Sequence, residues 1–80
     1  MKLPRDLKAG TLVKKLRILG YSVVRQRGSH MTVRTESGGG HTVWIPTGKS
    51  LAVGTLRNIL GQVAAHAGIE MDELLMLLGL

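Results

Sequence analysis

The chain has 80 residues and no cysteine, so it is one small domain near the lower size limit for a self-supporting core. The lack of cysteine excludes a disulfide framework and a thiolate metal site. Eleven Lys and Arg residues against five Asp and Glu give a net charge of +6. Nine of those basic residues precede residue 35, where Asp6 is the only acid, and such a basic half is typical of a protein with a polyanionic partner.

The first predicted elements are an extended lead-in and a short helix. Residues 1–10 form the lead-in, because Pro4 restricts the residue before it and Gly10 weakens a helix that starts early. The basic opening is followed by an amphipathic run rather than a continuous apolar one, so we expect no secretory signal, no membrane contact and a cytoplasmic protein. The helix runs from Thr11 to Leu19 and ends at Gly20. Its apolar face consists of Leu12, Val13, Leu16 and Leu19.

Three strands follow. The first two are predicted at 21–26 and 30–35, joined by a tight three-residue turn in which Gly28 supplies the backbone freedom. The third is predicted at 41–45, after the glycine-rich loop 36–40, and it ends at Pro46. Alternation divides the side chains of the second and third strands between two faces. The core face has Met31, Val33, Val43 and Ile45, and the open face has His30, Thr32, Arg34, Thr42 and Trp44.

Two helices complete the chain. Thr55 is the predicted cap of a helix that runs to about His66 with apolar residues at three- and four-residue spacing. Residues 70–80 form the C-terminal helix, whose stripe consists of Met71, Leu74, Leu75 and Leu78. Met76 and Leu77 extend its apolar surface. The helix therefore either packs over its own core or docks on a partner or a second copy as an oligomer contact.

His30 is the first candidate for chemistry, because histidine exchanges protons near neutral pH and Arg25 and Arg27 stand within five residues of it. The alternative is a surface histidine without a catalytic role. Trp44 either stacks on a base or covers an apolar gap. No cluster of His, Asp and Glu has metal-ligand spacing, so we expect neither a metal nor another cofactor.

Three segments together resemble the HicA family of toxin ribonucleases. They are Gly20-Tyr21 after the first helix, Val24-Arg25-Gln26-Arg27-Gly28-Ser29-His30 at the hairpin, and Gly54-Thr55-Leu56-Arg57-Asn58-Ile59-Leu60 at the second helix. The resemblance covers residues 3–69 of the single domain, 1–80. It implies an α+β, double-stranded-RNA-binding-domain-like fold, α-β-β-β-α with an additional C-terminal helix. It also implies a metal-independent mRNA interferase that a HicB-type antitoxin neutralises.

In that family the histidine of the Gly-Ser-His corner is catalytic, which carries over to His30, with Gly28 and Ser29 shaping the corner. The positively charged side chains expected to hold RNA phosphates are Arg25, Arg27, Arg34 and Lys49, with Trp44 as a further RNA contact. The family's usual serine cap of the first helix corresponds here to Lys8, which favours a late helix start.

One departure from the family concerns a second histidine. Many relatives carry it in the loop after the third strand, where Pro46-Thr47-Gly48-Lys49 stands here, so its task is absent or passes to Lys49 or to the RNA. His41 is a distant candidate for the missing group, near the open face, whereas His66 is predicted to be structural or solvent-facing.

Two rival functions stay open. One is a non-catalytic RNA-binding module that uses the same basic sheet face. The other is an interaction protein that acts through its apolar C-terminal helix. If an antitoxin inhibits the basic face, we expect acidic groups to cover it and to bury His30.

Overall fold

The computed structural model describes residues 3–80 and confirms the predicted α+β class. The elements are α1 (Ala9–Leu16), a 3₁₀ turn (Arg17–Leu19), β1 (Ser22–Arg27), β2 (His30–Thr35), a second 3₁₀ turn (Ser37–Gly39), β3 (His41–Pro46), α2 (Val53–Ala67) and α3 (Met71–Leu78). This order is the predicted α-β-β-β-α arrangement with an additional C-terminal helix, and it is consistent with a double-stranded-RNA-binding-domain-like fold. None of the helices in residues 3–80 is long and apolar enough to span a membrane.

The starts of the first two helices were predicted too late. α1 begins at Ala9, directly after Lys8, whose side chain makes no capping hydrogen bond. Burial of Ala9 against the core outweighs the helix-weakening effect of the exposed Gly10 that follows it. α2 begins at Val53, so Thr55 lies within its first turn and does not cap it. Residues 1 and 2 of the predicted lead-in lie outside the described residues.

The three strands form one antiparallel sheet in the order β1-β2-β3, and α1 and α2 pack on one of its faces. Val33, Val43 and Ile45 are fully buried under the helices, as predicted. α3 packs against α2, and the Lys15 ammonium donates to the Leu78 carbonyl at 3.2 Å, which joins α1 to the end of α3. The helices thus cover one face, and the opposite face is left open to solvent.

The register of β1 contains a bulge at Val24. Val23 pairs with Val33, but the next pair is Arg25 with Thr32, so Val24 is an extra residue. Strict alternation from Ser22 would direct Arg25 and Arg27 toward the helices. Because the bulge shifts the alternation by one residue, both arginines share the open face with His30.

α3 packs over its own core through Leu74, Leu75 and Leu78, all of which are buried. Met76 is 82% exposed and Leu77 is 45% exposed. The predicted apolar stripe of α3 therefore packs within the chain itself. An oligomer formed through Met76 and Leu77 stays a prediction.

Candidate active site

The corner between β1 and β2 is a two-residue turn. Arg27 pairs directly with His30, so Gly28 and Ser29 alone form the connection, one residue shorter than predicted. Gly28 has a φ of +57°, whereas Ser29 is not among the residues with positive φ. A positive φ at the first central residue alone is the pattern of a type II′ hairpin turn, for which glycine is preferred. An added Cβ at Gly28 would meet no atom within 4 Å, so the requirement for glycine is conformational rather than steric.

His30 is exposed at the start of β2, immediately after this turn. Its neighbours across the sheet are Arg27 on β1 and Pro46 on β3. In the part of the chain that the structure describes, no side-chain hydrogen bond or ion pair involves its imidazole. Both ring nitrogens are therefore available to a ligand, and the strand pairing on both sides limits the backbone motion that carries them.

A second row of side chains crosses the open face beside His30. Arg25, Thr32 and Trp44 are in register on the three strands. Two residues along a strand span about 6.7 Å and neighbouring strands lie about 4.8 Å apart, so this row is adjacent to the His30 row. Trp44 is 64% exposed. The structure thus brings the predicted residues Arg25, Arg27, His30 and Trp44 together on one surface.

The segment after β3 is tied to the hairpin corner. The Thr47 N–H donates to the Ser29 carbonyl at 2.7 Å. Lys49 lies two residues further on and is exposed in the connection to α2. The hydrogen bond from Thr47 to Ser29 keeps the start of this connection beside the corner.

Arg34 occupies the opposite end of the open face. Its Nε donates to the Glu36 carboxylate at 2.6 Å and its Nη1 donates to Thr42 Oγ1 at 2.9 Å. Four residues of strand separate it from His30, which is about 13 Å. Its guanidinium is therefore already occupied and distant from the corner, unlike Arg25 and Arg27. A phosphate at Arg34 would have to compete with Glu36, and its RNA contact stays a prediction.

His41 was expected near the open face, and this expectation is wrong. It pairs with Thr35, which is 2% exposed, and it shares the strand parity of Val43 and Ile45, so it lies on the helix side at the far end of the sheet. Burial lowers the pKa of His41, and the nearby His66 and Arg34 lower it further. His41 is thus no partner for His30.

Of the two alternatives predicted for His66, structural or solvent-facing, the structure favours the first, since His66 contacts His41 and the turn after β2. Tyr21 and Thr35 were not singled out from the sequence, although both are buried polar groups of the same end. Burial raises the pKa of the Tyr21 phenol, which keeps its proton and can donate it in a hydrogen bond. The sequence did contain a signal for the position of His41. The alternation of β3 places His41 in phase with Val43 and Ile45, and therefore on the helix side of the sheet.

The described residues contain no group of three or more His, Asp or Glu side chains arranged to hold a metal ion. The geometry of the hairpin end instead combines a free imidazole, two arginines and an exposed indole. Such a surface can bind a polyanion and exchange a proton with it.

A family model described as "HicA toxin of bacterial toxin-antitoxin" matches residues 6–69. No curated protein and no solved structure matches the chain. The matched segment includes the hairpin corner, the open sheet face and all of α2.

Proposed function

The chain belongs to the HicA toxin family, which makes it the toxin of a toxin-antitoxin system with an antitoxin partner, and we propose on this premise that it is a ribonuclease with His30 as its catalytic residue. The observation that carries the proposal is the imidazole at the Gly28-Ser29 corner. It is exposed and without an intramolecular partner among the described residues, and two arginines share its face. A structural histidine would instead have a ring nitrogen engaged, as His41 and His66 do.

The proposed reaction needs no metal ion. The ribose 2′-oxygen attacks the adjacent phosphorus while the bond from phosphorus to the 5′-oxygen breaks, which leaves a cyclic phosphate and a 5′-hydroxyl. His30 either takes the proton of the 2′-hydroxyl or donates one to the departing 5′-oxygen. Acid or base assistance of this kind contributes about 10²- to 10⁴-fold in rate.

The remaining groups of the face bind the substrate. Arg27 lies in the same cross-strand row as His30, and Arg25 lies in the next row. Both would hold the phosphates and offset the charge that develops on the phosphoryl oxygens. Lys49 would add positive charge from the connection held at Ser29. Trp44 is exposed beside Thr32 and offers a stacking surface for a base.

For the natural substrate and partner we propose what the family resemblance implies: the RNA is messenger RNA in the cytoplasm, and the antitoxin is of the HicB type. An inhibitor of this basic face gains specificity from acidic groups that meet Arg25 and Arg27, and it would bury His30. A complex of toxin and antitoxin in which His30 keeps its full solvent exposure would contradict this mode of inhibition.

The test compares the native chain with His30→Ala on a long unstructured RNA in the presence of EDTA. We expect cleavage by the native chain and a loss of at least about 100-fold in the variant, with RNA affinity retained. His66→Gln is the matched control, because it replaces a histidine at the other end of the sheet and keeps a donor for the Ser37 carbonyl. It should cleave as the native chain does.

An all-deoxy strand of the same sequence is the second control, since it lacks the 2′-hydroxyl that attacks phosphorus. Its cleavage at a comparable rate would exclude the mechanism, as would full activity of His30→Ala. Binding without cleavage by the native chain would identify the second candidate, an RNA-binding module, to which the exposed Trp44, Arg25 and Arg27 would contribute the contacts.

A further inference from the structure

A second group of titratable side chains lies at the opposite end of the sheet from His30. The Tyr21 hydroxyl is 2.6 Å from His41 Nδ1, and the His41 and His66 rings stack with centroids 4.6 Å apart and planes 12° from parallel. His66 Nε2 donates to the Ser37 carbonyl at 2.7 Å. These contacts join β3, α2, the segment before β1 and the turn after β2. We refer to Tyr21, His41, His66 and the Ser37 carbonyl as the histidine cluster.

The histidine cluster holds the Ser37–Gly39 turn against α2. Gly38 lies so close to the His66 ring that an added Cβ would stand 3.3 Å from Nε2. The other hydrogen bond from this turn to the body of the domain runs from the Ser37 N–H to Thr35 Oγ1, at 3.2 Å. Ser37, Gly38, His66 and Tyr21 also line a cleft of about 590 Å³. The other lining residues are Arg17, Ile18, Leu19, Gly20, Thr35, Val63 and Ala67.

The charges around His41 oppose its protonation. Arg34 contributes positive potential at His41, and Arg17 lines the same cleft as His66. Within residues 3–80 the Arg34 and Glu36 pair is the only ion pair, so neither imidazole has a carboxylate partner. The Tyr21 hydroxyl and His41 Nδ1 share one hydrogen bond, in which a neutral ring can accept and a protonated ring can only donate. Two imidazolium rings at this stacking distance would also repel each other.

We propose that the histidine cluster is a pH-operated switch: it is closed while both imidazoles are neutral, and acidification separates the rings, releases the Ser37–Gly39 turn and widens the cleft. The switch is independent of the proposed ribonuclease activity, because it lies at the other end of the sheet and on its helix side. An unperturbed imidazole has a pKa of about 6.5, so we expect the switch to open below that pH.

Amide hydrogen exchange on the full chain at about pH 7.5 and pH 5.5, corrected for the intrinsic pH dependence of exchange, tests the proposal. Gly40 is the reporter, because its N–H donates to the Ser37 carbonyl at 3.2 Å. Thr47, whose N–H is bonded to Ser29, is the reference at the hairpin end. We expect Gly40 to lose protection on acidification while Thr47 retains it, and His66→Gln to abolish most of the difference.

Equal protection of Gly40 at both pH values would overturn the proposal, as would an equal loss in native chain and His66→Gln. Ring nitrogen chemical shifts of the native chain provide a readout that needs no variant. The proposal requires the protonation of His41 and His66 to accompany the loss of protection at Gly40. Protonation of both rings with Gly40 still protected would refute it.

Discussion

The two ends of the sheet use the same residue types in opposite ways. At the hairpin end, His30 is exposed and has no partner within the described chain, and its neighbour Arg27 is equally exposed. At the far end, His41 is stacked and hydrogen-bonded on the helix side, and Arg34 is paired with Glu36. The role of a histidine or arginine in this fold therefore depends on the partners available at its end of the sheet. One end stabilises the domain, and the other leaves its polar groups available to a ligand.

Threonine shows the same division within β2. Thr35 is 2% exposed; its Oγ1 donates to the Leu19 carbonyl at 3.0 Å and accepts from the Ser37 N–H. Thr32 faces the open side between Arg25 and Trp44. The two residues are three positions apart, so they belong to opposite faces of the same strand.

The largest expected effect is a loss of stability on substitution of the buried Thr35. Thr35→Val removes a buried hydroxyl and leaves the Leu19 carbonyl and the Ser37 N–H without partners, so the free energy of unfolding should fall by about 2 kcal/mol. Thr32→Val, the matched control, should change it by less than about 0.5 kcal/mol. Urea unfolding of the three chains measures both values. Equal losses in the two variants would show that the far end has no special structural role.

A smaller effect, on the salt dependence of RNA binding, should distinguish Arg25 and Arg27 from Arg34. Each phosphate that a protein neutralises on a single strand contributes roughly 0.7 to the slope of log affinity against log salt. Arg25→Gln and Arg27→Gln should each reduce that slope for RNA binding by about this amount. Arg34→Gln should change it less, because its guanidinium is already paired with Glu36. Titrations of labelled RNA at several salt concentrations give the slopes, and an Arg34→Gln effect as large as the others would place phosphate at the far end too.

The smallest expected effect is on the pH dependence of stability. The pKa of His41 is lowered in the folded chain, first by burial and then by His66 and Arg34. The unfolded chain therefore binds more protons in this range, and the contribution of His41 to stability is complete above about pH 6.5 and is lost as the pH falls through the folded pKa. Unfolding free energies measured between pH 7.5 and 5.5 should decrease toward acid.

His41→Phe keeps an aromatic ring against His66 but cannot titrate, so its pH dependence should be weaker than that of the native chain. A stability that stays level or rises toward acid would contradict the assignment to His41.

Much of the fold was predictable from local patterns. β2 was predicted with its observed bounds, because alternation and the preceding turn residues act over a few neighbours. The helix starts were less accessible to prediction, since they depend on distant packing. Leu51 is buried, and its N–H donates to the Leu7 carbonyl at 2.7 Å. This contact between distant residues lies just before α2, which begins at Val53 rather than after the predicted cap Thr55. Likewise, β1 extends to Arg27 because it pairs with His30.

The sequence by itself determined the basic half, the glycine-dependent corner and the outward position of His30, Thr32 and Trp44. These features depend on composition, on the conformational freedom of one residue and on the two-residue period of a strand. Only the tertiary structure decided that Arg25 and Arg27 join His30, because the bulge at Val24 is a property of strand pairing. It also decided that Tyr21, His41 and His66 meet, since residues so far apart in sequence come into contact only when the helices pack on the sheet.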